Sequence, residues 1–189
     1  MITGSPVSSG FALFEAALGC CGIAWSDRGI SGVQLPEGTE SRTRARLVRR
    51  CPGAEEAVPP AAVKAAIDTI VALLRGEARD FSIISLDMAG VRDFDRRVYE
   101  VARTIAPGET LSYGEVARRV GEPNAAREVG QALGRNPFPI IVPCHRVVAT
   151  GGKLGGFSAR GGTATKRRLL AIEEAHAPTL PLFQSAERG

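Results

Sequence analysis

The chain has 189 residues, 44% of them hydrophobic, and a formal net charge of +4. That is enough apolar material for one large core or two small ones, yet no apolar run is long enough to span a membrane. The N-terminus lacks the basic-then-apolar pattern of a secretory signal, so a soluble, cytoplasmic protein is expected. The mild basic excess suits a nucleic-acid partner without requiring one. Lysine occurs only at Lys64, Lys153 and Lys166; the other basic residues are arginines. Four cysteines, Cys20, Cys21, Cys51 and Cys144, contain no C-x-x-C, and the histidines are His145 and His176. Neither a disulfide framework nor a zinc cluster is expected from this set.

In chain order, the first ten residues are small and polar and read as frayed. Phe11 to Leu35 reads as a hairpin: an apolar run over Ala16–Ala24, a turn at Asp27-Arg28-Gly29, and a second run over Ile30–Leu35. A helix over Thr39–Cys51 carries Arg42, Arg44, Arg46, Arg49 and Arg50, and a solvated face is the simplest use of such a run. Pro59-Pro60 opens the next helix, with Val63, Ile67, Ile70, Val71 and Leu74 at helical spacing and Gly76 as the stop. Phe81–Leu86 looks like a further strand. Residues 1–88 thus form a small α/β unit with nothing catalytic in it.

After residue 89 the pattern turns helical. Asp93 is placed to cap a helix whose stripe is Phe94, Val98, Val101 and Ile105. Ser112-Tyr113-Gly114-Glu115 has the form of a capping box. Asn124 is placed to cap a second short helix with Ala126, Val129 and Leu133 inward and Arg127, Glu128 and Gln131 outward. The two, joined by Gly121-Glu122-Pro123, form a candidate helix-turn-helix. Arg127 lies in the first turn, where the helix end favours anions.

Asn136-Pro137-Phe138-Pro139-Ile140-Ile141-Val142 leads to Pro143-Cys144-His145-Arg146-Val147. The prolines exclude helix, and Ile140–Val142 reads as a short buried strand. A thiol at the end of a stiff segment beside an imidazole is a nucleophile arrangement, although a buried cysteine next to a core histidine would look the same. Six glycines in residues 151–162 form a loop around Phe157 and Ser158 that lets backbone approach a ligand, or serves as a plain linker. Thr163–Ala175 is the last helix, with Leu169 and Leu170 inward, and residues 176–189 form a tail.

Together these stretches resemble the O6-alkylguanine-DNA alkyltransferases, the methylated-DNA–protein-cysteine methyltransferases. The resemblance is carried by Gly108–Tyr113, Ala125–Gly130, Asn136-Pro137, Pro143–Val147, Gly156-Phe157-Ser158 and Leu169-Leu170 with Glu173. It implies an α/β N-terminal domain (1–88), small-sheeted and ribonuclease-H-like. It also implies a mostly α C-terminal domain (89–175) with a winged-helix-like helix-turn-helix. The implied activity is a single, irreversible transfer of an alkyl group from O6-alkylguanine, and from O4-alkylthymine, in DNA to Cys144. The partner is alkylated double-stranded DNA, the protein a monomer, and neither cofactor nor metal is expected.

Residue by residue, the family implies Cys144 as acceptor, His145 as its base through a bridging water, and Glu173 as the carboxylate that orients His145. Asn136 shapes the turn before the thiol, and Arg146 ties this segment to the fold. Tyr113 helps the nucleotide rotate out and donates toward guanine N3. Arg127 fills the gap in the base stack, and Ala125, Ala126, Gly130 and Gln131 approach the minor groove. The flipped base is read by backbone at Val147 and Val148 and by Phe157 and Ser158. Two departures stand out: Phe157 replaces a common tyrosine, and a loop one residue longer puts Arg160 at the expected pocket rim. The alternatives are a lesion-binding relative without activity, a regulator and a cysteine hydrolase. The first carries tryptophan at the cysteine position, which Cys144 argues against, and no further DNA-binding or sensor region supports the second.

Overall fold

The computed structural model describes residues 9–174. Chain before and after, including the tail at 176–189 and His176, lies outside the described residues. Strands β1 (Gly10–Ala16), β2 (Gly19–Ser26) and β3 (Gly29–Gln34) form an antiparallel meander, and β4 (Glu55–Glu56) adds in parallel beside β1, giving the order β3-β2-β1-β4. The single hairpin expected here is therefore two. Its first turn, closed by the Ala16↔Gly19 pair, has Gly19 at a φ of 114°, where a side chain is strained.

Helix α1 (Glu40–Arg50) starts where Thr39 Oγ1 accepts the Arg42 N–H at 3.3 Å, and it buries Thr43 and Leu47 against the sheet. Helix α2 (Ala61–Leu74) begins after Pro60 and buries Val63, Ala66, Ile70, Leu73 and Leu74. The strand expected over Phe81–Leu86 is not formed. Ser82 N–H bonds Asp80 Oδ1 at 2.8 Å and Ile84 N–H bonds Phe81 O at 3.1 Å, so the chain turns. Only its end pairs, Leu86 bridging to Ile30.

Helix α3 (Asp93–Arg103) has Arg92, not Asp93, at its N-cap position, without a side-chain cap; Asp93 sits inside the first turn, where its charge suits the dipole. Its buried face is Asp95, Val98, Tyr99 and Ala102, one step round from the expected stripe. Tyr99 donates to Ala132 O at 2.9 Å and meets Phe138 edge-on at 6.5 Å. A two-stranded parallel sheet pairs β5 (Leu111–Ser112) with β6 (Val147–Val148). Helices α4 (Tyr113–Arg119) and α5 (Ala126–Gly134) follow β5, and α6 (Thr163–Glu174) ends the described chain. One core runs from Ile23 and Ile70 through Tyr99 and Ile141 to Leu169. Among the described residues, no helix is long and apolar enough to cross a membrane.

Candidate active site

The segment before the thiol is held by one side chain. Asn136, buried, accepts the Phe138 N–H and donates to Val142 O, both at 2.9 Å, while Val142 N–H bonds Phe138 O at 2.8 Å. Inside this loop Ile140 takes a φ of 75°. A β-branched residue there is strained by about 1–3 kcal/mol, and the Asn136 bridge together with burial of Ile140 and Ile141 holds it. The expected buried strand is thus a buried, strained turn. It ends in a single 3-10 turn, Cys144–Arg146, so thiol and imidazole do not alternate as along an extended chain.

His145 is fully buried, and its Nε2 lies 2.8 Å from Glu173 Oε1. Arg146 donates to the same carboxylate, through Nε to Oε2 at 3.0 Å and Nη2 to Oε1 at 2.8 Å, and binds Ile105 O as well. Burial alone would raise the Glu173 pKa; hydrogen bonds from His145 and Arg146 outweigh it and bring it down to about 2. Burial lowers the His145 pKa, against the pull of Glu173. The resting state is therefore a neutral imidazole whose Nε2–H donates to a carboxylate. Its Nδ1 is then an acceptor, and it has no protein partner among the described residues.

Burial pushes the Cys144 thiol up, while Asn136 and the Lys166 cation pull it back. The thiol is thus not a standing thiolate; a base must take its proton as it reacts. Lys166 is a residue that sequence reading missed. It is fully buried on α6, donates to Val147 O at 2.6 Å, and sits 5.7 Å from the Tyr113 ring centre. Desolvation lowers its pKa and the Cys144 charge raises it, so cation and thiolate favour each other. The signal was available: Lys166, Leu169, Leu170 and Glu173 fall on one helix face.

A cavity of about 550 Å³ opens over the sulfur, walled by α4, α5 and the glycine-rich loop. Tyr113, Ala126, Arg127, Gly130, Gln131, Cys144, Phe157 and Ser158 all line it. Ser112 and Glu115 form the expected capping box, fixing Tyr113 as the first residue of α4. Burial, then the neighbouring Cys144, raises the Tyr113 pKa, so its hydroxyl keeps its proton. Gly155 has a φ of 67°, and a Cβ there would lie 2.8 Å from the Tyr113 hydroxyl. Arg127 is exposed and has no ion-pair partner among the described residues.

Several expected positions differ. Ala125, not Asn124, precedes α5 and makes no side-chain cap, which leaves the N–H groups at that end open. Val147 and Val148 are buried in the β5–β6 pair and do not line the cavity; Val147 O is engaged by Lys166. Asn136, His145 and Glu173 lie behind the sulfur and not on the cavity wall. Arg160 is not at the rim either. Its guanidinium binds Glu37 O, in space left by Gly38.

Fold and site define a protein whose paired helices α4 and α5 open onto a buried thiol, next in sequence to an imidazole held by a carboxylate. Residues 93–175 match the family model described as 6-O-methylguanine DNA methyltransferase, DNA binding domain. A relative from Methanothermobacter thermautotrophicus, named methylated-DNA–protein-cysteine methyltransferase, is 38% identical over 152 residues, covering 80% of this chain and 78% of that one. A relative of the same name from Mycobacterium tuberculosis H37Rv is 48% identical over 125 residues, covering 66% and 73%. The solved structure of Mycobacterium tuberculosis OGT in complex with DNA superposes with a TM-score of 0.72 at 36% identity, covering 89% of this chain and 95% of that one. The chain belongs to the methylated-DNA–protein-cysteine methyltransferase family.

Proposed function

We propose that the protein repairs DNA by moving the alkyl group of O6-alkylguanine, and of O4-alkylthymine, onto Cys144. The sulfur attacks the alkyl carbon as the carbon–O6 bond breaks. Its proton passes through a bridging water to His145 Nδ1, while Glu173 holds the imidazole and balances its charge. Tyr113 donates toward N3 of the departing guanine, which otherwise leaves as an anion. The thioether is stable, so the protein acts once. The observation that carries this reading is the Cys144 sulfur at the floor of a cavity whose walls include Tyr113 and Arg127.

A base inside a duplex cannot bring its O6 substituent to a sulfur at that depth. The nucleotide therefore rotates out, at a cost of a few kcal/mol that is smaller for a badly paired lesion. Arg127 takes its place in the stack, and Ala125, Ala126, Gly130 and Gln131 lie along the minor groove. Phe157 and Ser158 hold the extruded base, Phe157 without the hydroxyl that a tyrosine would bring. With this reading go a ribonuclease-H-like N-terminal domain over 1–88, a winged-helix-like C-terminal domain over 89–175, a monomeric state and a cytoplasmic location.

The test is stoichiometry. Increasing amounts of a duplex bearing one O6-methylguanine are incubated with a fixed amount of protein. Restored guanine should plateau at one per protein molecule and be absent for Cys144→Ser. Continued turnover past that plateau, or restoration by the serine variant, would refute the proposal.

A further inference from the structure

We infer that a second cavity, reached through the Cys144 sulfur from the base pocket, accepts O6-alkyl groups that end in a carboxylate. The inference rests on the alkyl-transfer reading and concerns which alkyl groups are favoured. This cavity, of about 270 Å³, shares Gly134, Cys144, Phe157 and Ser158 with the base pocket. An alkyl group attached at O6 and placed against the sulfur therefore lies at the wall that the two cavities share. The volume is several times the roughly 30 Å³ of one water, ample for a carboxymethyl group.

Three guanidinium groups line it: Arg46 and Arg50 from α1 and Arg135 at the end of α5. The arginine run of α1 is thus not wholly a solvated face. Arg46 is neutralised by Glu37 at 3.1 Å, itself a wall residue, and Arg135 by Asp95 through two bonds of 3.0 and 3.1 Å. Arg50 differs. It donates to two neutral acceptors, Gln34 Oε1 and Asn136 O, each at 3.2 Å, and has no carboxylate partner among the described residues. Desolvation pulls its pKa down and the Arg46 cation adds to that, while Cys51 and Glu37 pull the other way without a direct contact. An alkyl carboxylate would supply that contact in a charge-assisted hydrogen bond.

The chemistry is the same displacement. Sulfur bonds the methylene carbon as the carbon–O6 bond breaks, and the electron pair stays with guanine. The thiol proton leaves through His145, guanine gains one proton, and Cys144 is left as a carboxymethyl thioether.

The test compares transfer rates from duplexes carrying O6-carboxymethylguanine and its neutral near-isostere O6-carbamoylmethylguanine, with O6-methylguanine alongside. The readout is the ratio of the first two rates, which cancels any general loss of activity or DNA affinity. Arg50→Gln should lower that ratio about three- to tenfold, Arg50→Lys should restore part of it, and added salt should lower it in the wild type. A ratio equal in wild type and Arg50→Gln would overturn the inference, as would a parallel fall of all three rates with DNA affinity, which would place Arg50 on the DNA backbone. Absence of transfer even from O6-methylguanine would overturn the alkyltransferase reading itself, and the inference with it.

Discussion

Replacing Glu173 by glutamine removes the carboxylate shared by His145 and Arg146. Arg146 is 4% exposed, so its charge is left almost without solvent. Breaking a buried pair from one side costs about 3–5 kcal/mol. The pKa gives a similar figure: with the Glu173 value held at about 2 against 4.5 ordinarily, linkage assigns roughly 3 kcal/mol to its ionised form. For a chain of this size that is a melting-temperature loss of about 6–20 °C. Because the folded pKa is depressed, this contribution is present above pH 4.5 and is lost as pH falls toward 2; the variant should lack that part of the acid transition. The second consequence is chemical. A glutamine amide can donate to Nε2, which moves the imidazole proton to Nδ1 and removes the acceptor the thiol needs. Transfer from an O6-methylguanine duplex, followed by rapid quench below the variant's melting temperature, should slow by about 10²–10⁴-fold. A variant that melts near the wild-type temperature, or transfers at the wild-type rate, would refute the shared-carboxylate account.

Lys166→Met keeps the volume but removes the cation beside the thiol. The thiol pKa then rises further and the alkaline limb of the pH–rate profile moves to higher pH; superimposable profiles would contradict the coupling. Gly155→Ala forces a Cβ onto the Tyr113 hydroxyl at an unfavourable φ. It should cost about 1–3 kcal/mol in denaturant titration and slow transfer beyond what lost folding explains. Gly114→Ala meets nothing closer than Ser112 Oγ at 4.0 Å, so it should stabilise α4 by up to about 1 kcal/mol; a lower melting temperature would contradict that packing.

What could be read from the chain was what local chemistry fixes. Ser112 and Glu115 announced the start of α4 because a capping box is a contact within four residues, and Gly76 marked the end of α2 for the same kind of reason. What escaped depends on distant partners. Ile140 looked like strand because its positive φ is imposed by Asn136, which satisfies Phe138 and Val142 across the loop. Phe81–Leu86 had strand composition but only its end finds a neighbour, Ile30. Cys144 and His145 drew attention as neighbours in the chain, whereas Glu173 entered only through the family resemblance, because its contact with His145 spans 28 residues. Lys166 was passed over because lysine is usually solvated. The inward positions of Leu169 and Glu173 on the same face held the clue. Arg46 and Arg50 were assigned to solvent because nothing in α1 itself shows that Asn136 and Cys144 lie beside its end.

The most direct measurement is intact-protein mass spectrometry with peptide mapping after incubation with excess O6-methylguanine duplex. The account predicts a single added methyl group per molecule, on the peptide containing Cys144, and an unmodified Cys144→Ala variant. A methyl group on Cys20, Cys21 or Cys51, or an unmodified protein after the DNA has been repaired, would contradict it.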